Sequence, residues 1–265
     1  MKVFHFVLVT GLILTWLVSS LGDAKEADPT VDSVLAKWEE ASQKCKTLDA
    51  KLTVWRYDQV FDRDHQPTIT QGRFYYEAPN LGRYETRKTA KAAANDWSSV
   101  SEAIIWNGKE MLWIEGDTRH CRRFSTAKLQ SLLSEPEKND FGWWRVFARA
   151  FARRFQGPKQ FQPLLIGIPA SEVRERFYVT ITERGGVLYL RALPKRSVDA
   201  ADYSRIDVIL NAKTYMTVAT EIISPSGRER MVVQLNDPQV NRRPSDRDQL
   251  LAPDLSGLHI TEDCL

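Results

Sequence analysis

Ala103-Ile104-Ile105-Trp106-Asn107-Gly108-Lys109-Glu110-Met111-Leu112-Trp113-Ile114 places two short apolar, aromatic-rich runs on either side of Asn-Gly. A tight reversal between right-twisted strands needs positive φ, which Asn and Gly tolerate, so this stretch predicts a β-hairpin. Upstream, Leu52, Val54 and residues 57–61 form a β-branched and aromatic stretch that ends in the turn-like residues 62–67. A second stretch, residues 69–77, stops at Ala78-Pro79-Asn80, and the two read as consecutive antiparallel strands. Downstream, residues 119–124 continue the sheet. Further strands are expected over residues 177–182, 187–193, 205–210, 218–224 and 231–235, with turns at Arg184-Gly185-Gly186 and Pro225-Ser226-Gly227. Tight turns at this regularity mean an antiparallel meander.

Three stretches carry the helical period instead. Val31, Val34, Leu35, Trp38, Ala41 and Cys45 recur at intervals of three to four residues, with Asp28 or Thr30 as the cap. Trp143, Phe147, Phe151 and Phe155 recur at spacing four within residues 125–155, with arginines mostly on other faces, until Gly157-Pro158 stops the pattern. Residues 171–177 read as a further short helix. Helix, strands, helices and strands without regular βαβ alternation define an α+β fold, a large antiparallel sheet with helices on one side. No linker of disordered composition divides residues 25–265, so one domain is expected.

The N-terminus reads as an address. Lys2, an uncharged apolar run at residues 3–21 and the small or polar Gly22, Asp23 and Ala24 are the three parts of a secretory signal over residues 1–24. The run reaches the ~18 residues of a spanning segment. His5, Thr10, Gly11 and Thr15 dilute it, however, and no basic cluster follows, so a cleaved signal and a periplasmic or secreted location are expected. No Cys stands at the end of the run to accept a lipid.

Function classes fall away by composition. A net charge of +3 over 265 residues does not point to nucleic acid. Cys45, Cys121 and Cys264 fit no metal spacing; in an oxidising compartment any one pair can bridge, leaving one thiol over. The chain lacks a Gly-x-Ser-x-Gly elbow, a His-Glu-x-x-His helix and a phosphate-binding Gly-rich loop. His65, His120 and His259 each stand alone in the sequence, and His120 and Cys121, as strand neighbours, point to opposite faces. Acids such as Asp202, Asp207, Glu221 and Asp237 have no specific context. No catalytic residue, cofactor or metal is therefore expected. What stands out is aromatic density on strands: Trp55, Tyr57, Phe74, Tyr75, Tyr76, Tyr84, Trp106 and Trp113. Period two puts Phe74, Tyr76 and Gly72 on one face and Tyr75 on the other. Such a face is either ordinary core or the wall of an apolar pocket.

The order of these pieces resembles the LolA-type periplasmic lipoprotein carriers. Gln71-Gly72-Arg73-Phe74-Tyr75-Tyr76-Glu77-Ala78-Pro79-Asn80-Leu81 is similar to their strand running into a Pro-Asn-Leu turn. Residues 105–114 resemble their hairpin followed by Leu-Trp, and residues 189–195, ending Leu193-Pro194-Lys195, the strand that closes on Thr-Pro-Lys. Residues 203–210 resemble the strand after it. Pro225-Ser226-Gly227 and Asn241 sit where that family turns and leaves its last long strand. Where the carriers have an Arg before the turn proline, this chain has Ala78. In pattern it is closer still to uncharacterised secreted proteins of planctomycete-type bacteria. The resemblance implies an unclosed half-barrel, a curved antiparallel sheet with helices as a lid on its concave face over an apolar cavity. It implies a non-enzymatic protein that binds lipid or lipoprotein acyl chains; from the aromatic strands and the helical middle, Trp55, Phe74, Tyr76, Trp106, Leu112, Phe147 and Phe151 are the candidates for the lining. A peptide-sensing or envelope-stress module that binds a membrane or envelope protein is the alternative, and a secreted hydrolase with an acidic site a further one.

Overall fold

The computed structural model describes residues 30–59, 66–79, 81–88, 97–125 and 169–262. Its first helix, α1 (Val31–Lys44), starts at Thr30, whose hydroxyl accepts from the Ser33 amide at 3.2 Å and satisfies one of the donors a helix leaves unpaired. Val34, Leu35 and Trp38 form the buried stripe of α1. Six strands follow: β1 (Thr47–Asp58), β2 (Thr68–Glu77), β3 (Leu81–Arg87), β4 (Val100–Asn107), β5 (Glu110–Glu115) and β6 (His120–Ser125). The chain continues, among the described residues, with α2 (Ala170–Arg176), β7 (Phe177–Arg184), β8 (Val187–Pro194) and the short α3 (Ser197–Ala200). It closes with β9 (Arg205–Asn211), β10 (Thr217–Ile223), β11 (Glu229–Val240), α4 (Arg247–Leu251) and β12 (His259–Glu262).

All twelve strands belong to one sheet, in the order β12-β6-β5-β4-β3-β2-β1-β11-β10-β9-β8-β7. β1 pairs with β2 on one side and β11 on the other, which joins an N-terminal and a C-terminal meander into one surface. The ends, β12 and β7, do not meet. This is the expected α+β unclosed half-barrel. The Asn107-Gly108 hairpin is present: Trp106 pairs with Met111, Gly108 takes φ +85°, and Asn107 Oδ1 accepts the Lys109 and Glu110 amides at 3.1 and 3.0 Å. One pairing departs from the expected antiparallel pattern, because β12 runs parallel to β6.

The two faces of the sheet differ in cover. On the inner face Leu48, Ala50, Leu52 and Val54 of β1 join Phe74, Tyr76, Ile104, Val208, Leu210, Ile222 and Val233 in one cluster with α1 and with Ala170 and Val173 of α2. β8 and β9 alternate strictly, buried inward and more exposed outward, because the outer side of that half meets water. β4 and β5 are buried on both faces instead. Their outer cover is the C-terminal segment. Leu250 and Leu251 of α4 pack with Tyr75, while Leu255 and Leu258 pack against Ile105, Leu112, Ile114, Cys121 and Trp97. Charges pin this strap. Arg73 bridges Asp49 at 2.8 Å and Asp246 at 2.6 Å, and Arg247 and Arg243 hold Glu77 at 2.6 and 2.8 Å. The Trp97 indole donates to the Asp254 carbonyl at 2.8 Å. The apolar run at residues 3–21 and the helical pattern of residues 125–155 lie largely or wholly outside the described residues, and no described helix is long and apolar enough to cross a membrane.

Candidate functional site

Three of the seven expected lining residues come together. Phe74 and Tyr76 lie in register with Ala50 and Leu48 on the inner face, and Trp106 reaches the same face across Gly82. Gly82 makes that seat: a Cβ there would stand 2.4 Å from the Trp106 ring and 2.5 Å from the Tyr75 carbonyl. The Phe74 and Trp106 rings are tilted by 44° with centroids 6.4 Å apart. Met111, Trp113, Tyr84, Ile104 and Phe124 extend this aromatic and aliphatic surface.

Trp55 and Leu112 do not join them. Leu52 and Val54 of β1 face inward, so the alternation of the strand turns Trp55 outward, beside Ile69. Leu112 is paired with Ile105 and packs in the outer cluster, while its neighbours Met111 and Trp113 take the inner face. Phe147 and Phe151 lie outside the described residues.

Farther along the inner face, α1, α2 and β7–β9 line a partly open pocket of about 20 Å³. Its walls are apolar: Trp38 of α1, Val173 of α2, and Phe177, Leu190, Ala192 and Val208 of the strands. A space of this size is about one water across, and its wall offers that water no polar partner. Trp38 Nε1 is buried and meets no hydrogen-bond partner among the described residues. The two helices are tied to each other, since the Ala170 amide donates to Glu39 Oε2 at 3.0 Å and Arg174 pairs with Asp32 at 2.6 Å. Next to the lining residue Phe177, Arg176 holds Asp199 at 2.5 Å and Glu172 at 3.0 Å and donates to the Tyr203 hydroxyl at 3.0 Å. Burial pushes the Tyr203 hydroxyl up, with the neighbouring Asp199 carboxylate adding to the shift.

The side chains with reactive potential are placed differently from one another. Cys45 and Cys121 are free and buried in separate clusters, and burial pushes each thiol up to about 11. Neither bridges the other, and Cys264 lies outside the described residues. The acids noted in the sequence are engaged: Asp207 with Arg191 and Arg205, Glu221 with Arg205 and Arg230, and Asp237 with Lys51. Asp202 is pushed up by burial and then by the charge of Asp199. His65 lies outside the described residues. His120 and His259, apart in sequence, are neighbours in space, with ring centroids 5.5 Å apart. Among the described residues no three His, Cys, Asp or Glu side chains stand where they could hold a metal ion together.

No protein-family model matches the chain and no curated protein sequence matches it. Among solved structures the chain is similar to an uncharacterized conserved protein from Thermus thermophilus, at 7% identity and TM-score 0.47, over 89% of this chain and 100% of that one. It is similar to a DUF1329 family protein from Desulfovibrio piger at 8% identity and TM-score 0.40, over 82% and 95%. It is also similar to a LolA superfamily protein from Nitrosomonas europaea at 13% identity and TM-score 0.35, over 82% and 96%.

Proposed function

We propose that this chain is an exported, non-enzymatic binding protein, residues 25–265 after removal of a signal at residues 1–24, which holds an acyl chain on the inner face of its half-barrel. The observation that carries this reading is the wholly apolar cavity between the α1–α2 pair and β7–β9. At about 20 Å³ the pocket is too small for an acyl chain, so in this reading the helix pair lifts from the sheet to admit one. The bonds from Glu39 to Ala170 and from Asp32 to Arg174 make α1 and α2 move as one body. Each methylene that enters contributes ~0.8 kcal/mol, set against the cost of separating helix from sheet. Phe74, Tyr76 and Trp106 extend the apolar path across the sheet. Native mass spectrometry of protein taken from its own compartment under mild extraction tests this. Lipid masses on the folded chain are expected, and repeated recovery of bare protein would count against the proposal.

A second reading, docking of an extended peptide from an envelope partner, is favoured by one feature. Among the described residues β7 is an edge strand, and Tyr178, 65% exposed, lies beside Leu193, 44% exposed, on its outer face. Strand addition at such an edge supplies affinity through main-chain bonds.

A further inference from the structure

The parallel register of β12 on β6 sets His259 directly across from His120, with Thr261 two residues farther on the same face. The two imidazoles lie with centroids 5.5 Å apart and planes inclined by 39°. His120 is half-buried and His259 exposed. We propose that His120 and His259 form a two-imidazole site for a divalent transition-metal ion, of which Zn²⁺ is the probe, that clips the C-terminal strand to the sheet.

Three observations converge on it. The first is spacing: with Zn–N bonds of about 2.0–2.1 Å and each ring centroid about 1.1 Å beyond its nitrogen, two imidazoles on one tetrahedral ion have centroids about 5–5.5 Å apart. The second is the contact with Thr261. His120 Nε2 lies 2.9 Å from Thr261 Oγ1. When it donates that bond, Nδ1 is left with the lone pair a metal needs, the arrangement by which an outer oxygen orients a ligating histidine. The third is the surrounding charge. Glu115 is in register with His120 on the neighbouring strand. Arg122, the cation of β6 on this face, is turned to Glu115 at 3.9 Å and lies over the Trp113 ring at 4.8 Å from its centroid. The His259 amide, meanwhile, donates to the Arg119 carbonyl at 2.8 Å, which fixes where β12 begins. Two protein donors leave the other coordination positions to water, so the site is a reversible clip rather than a closed structural centre. Its effect falls on the strap, because β12 is the last described element of the segment that covers the outer face.

Isothermal calorimetry of the untagged full chain, first cleared with a chelator and then titrated with zinc chloride near neutral pH, tests the site. One ion per chain is expected, with His120→Ala and His259→Ala each weakening binding by about tenfold or more. Because β12 is an edge strand, His259→Ala should keep the far-ultraviolet circular dichroism of the parent. In parallel, Zn²⁺ should slow hydrogen exchange at the amides of residues 260–262 in the parent and leave it unchanged in His259→Ala. Absence of binding, binding equally strong in both alanine variants, or exchange in β12 indifferent to the ion would each overturn the proposal.

Discussion

Gly82 lacks a side chain where the Trp106 ring needs the space, which makes one backbone position the support of the aromatic inner face. Gly82→Ala pushes a methyl group against both that ring and the Tyr75 carbonyl, so it should destabilise the fold by about 1–3 kcal/mol. A lower urea midpoint at unchanged slope is the expected reading; an unchanged midpoint would mean that Trp106 has another resting place. Glu77 governs a different property. The hydrogen bond from Arg247, together with that from the Tyr75 hydroxyl, holds its carboxyl down to about 2 against the opposing pull of burial. A carboxyl depressed in the folded state contributes stability above its unfolded pKa and loses it as the pH falls towards the folded value. Stability should therefore decline from about pH 4.5 towards about pH 2, and Glu77→Gln should flatten that part of a pH-dependent unfolding profile. At this scale the sequence was legible by parity and misleading by residue type. Phe74 and Tyr76 follow period two onto the inner face. Trp55 looks like one of their company until Leu52 and Val54 fix the phase of β1 and turn it outward.

Among elements, the C-terminal strap was the hardest to foresee and has the sharpest consequence. The hairpin of β4 and β5 announced itself by Asn107-Gly108, because turn chemistry is local. The phase of Leu112 did not, since apolar residues on both sides of a strand buried on both faces carry no alternation to read. That double burial is itself the trace of the strap. Leu250, Leu251, Leu255 and Leu258, spaced through a polar tail, supply the outer cover, but only the three-dimensional register shows what they cover. The parallel pairing of β12 with β6 is likewise non-local, and it alone makes neighbours of two histidines that look solitary in sequence. Leu251→Ala should weaken the strap without unfolding the sheet. A loss of about 2 kcal/mol from a buried leucine, the low end of such substitutions, corresponds to about a thirtyfold rise in local opening. Hydrogen exchange at residues 246–262 should accelerate accordingly while β1 and β11 keep their protection; equal acceleration throughout would show that the strap is part of the global unfolding unit.

In the whole molecule the sheet does not close, and the proposed function requires the α1–α2 pair to lift from it. β1 ties the two meanders into one stiff surface, and the free ends of the sheet leave the inner face to be covered by helices rather than by strands. The fold class was legible because strand period, turn residues and the absence of βαβ alternation all point the same way. The binding role was less so, since an aromatic inner face serves equally as core and as pocket until its cover is shown to move. Titration with a fluorescent fatty acid, comparing the parent with Ala192→Leu, tests this most directly, because the added side chain fills the cavity beside Trp38 while keeping the site apolar. The account predicts saturable binding in the parent and about tenfold weaker binding in the variant, the worth of roughly two methylene contacts. No binding by the parent, or equal binding by the two, would contradict it.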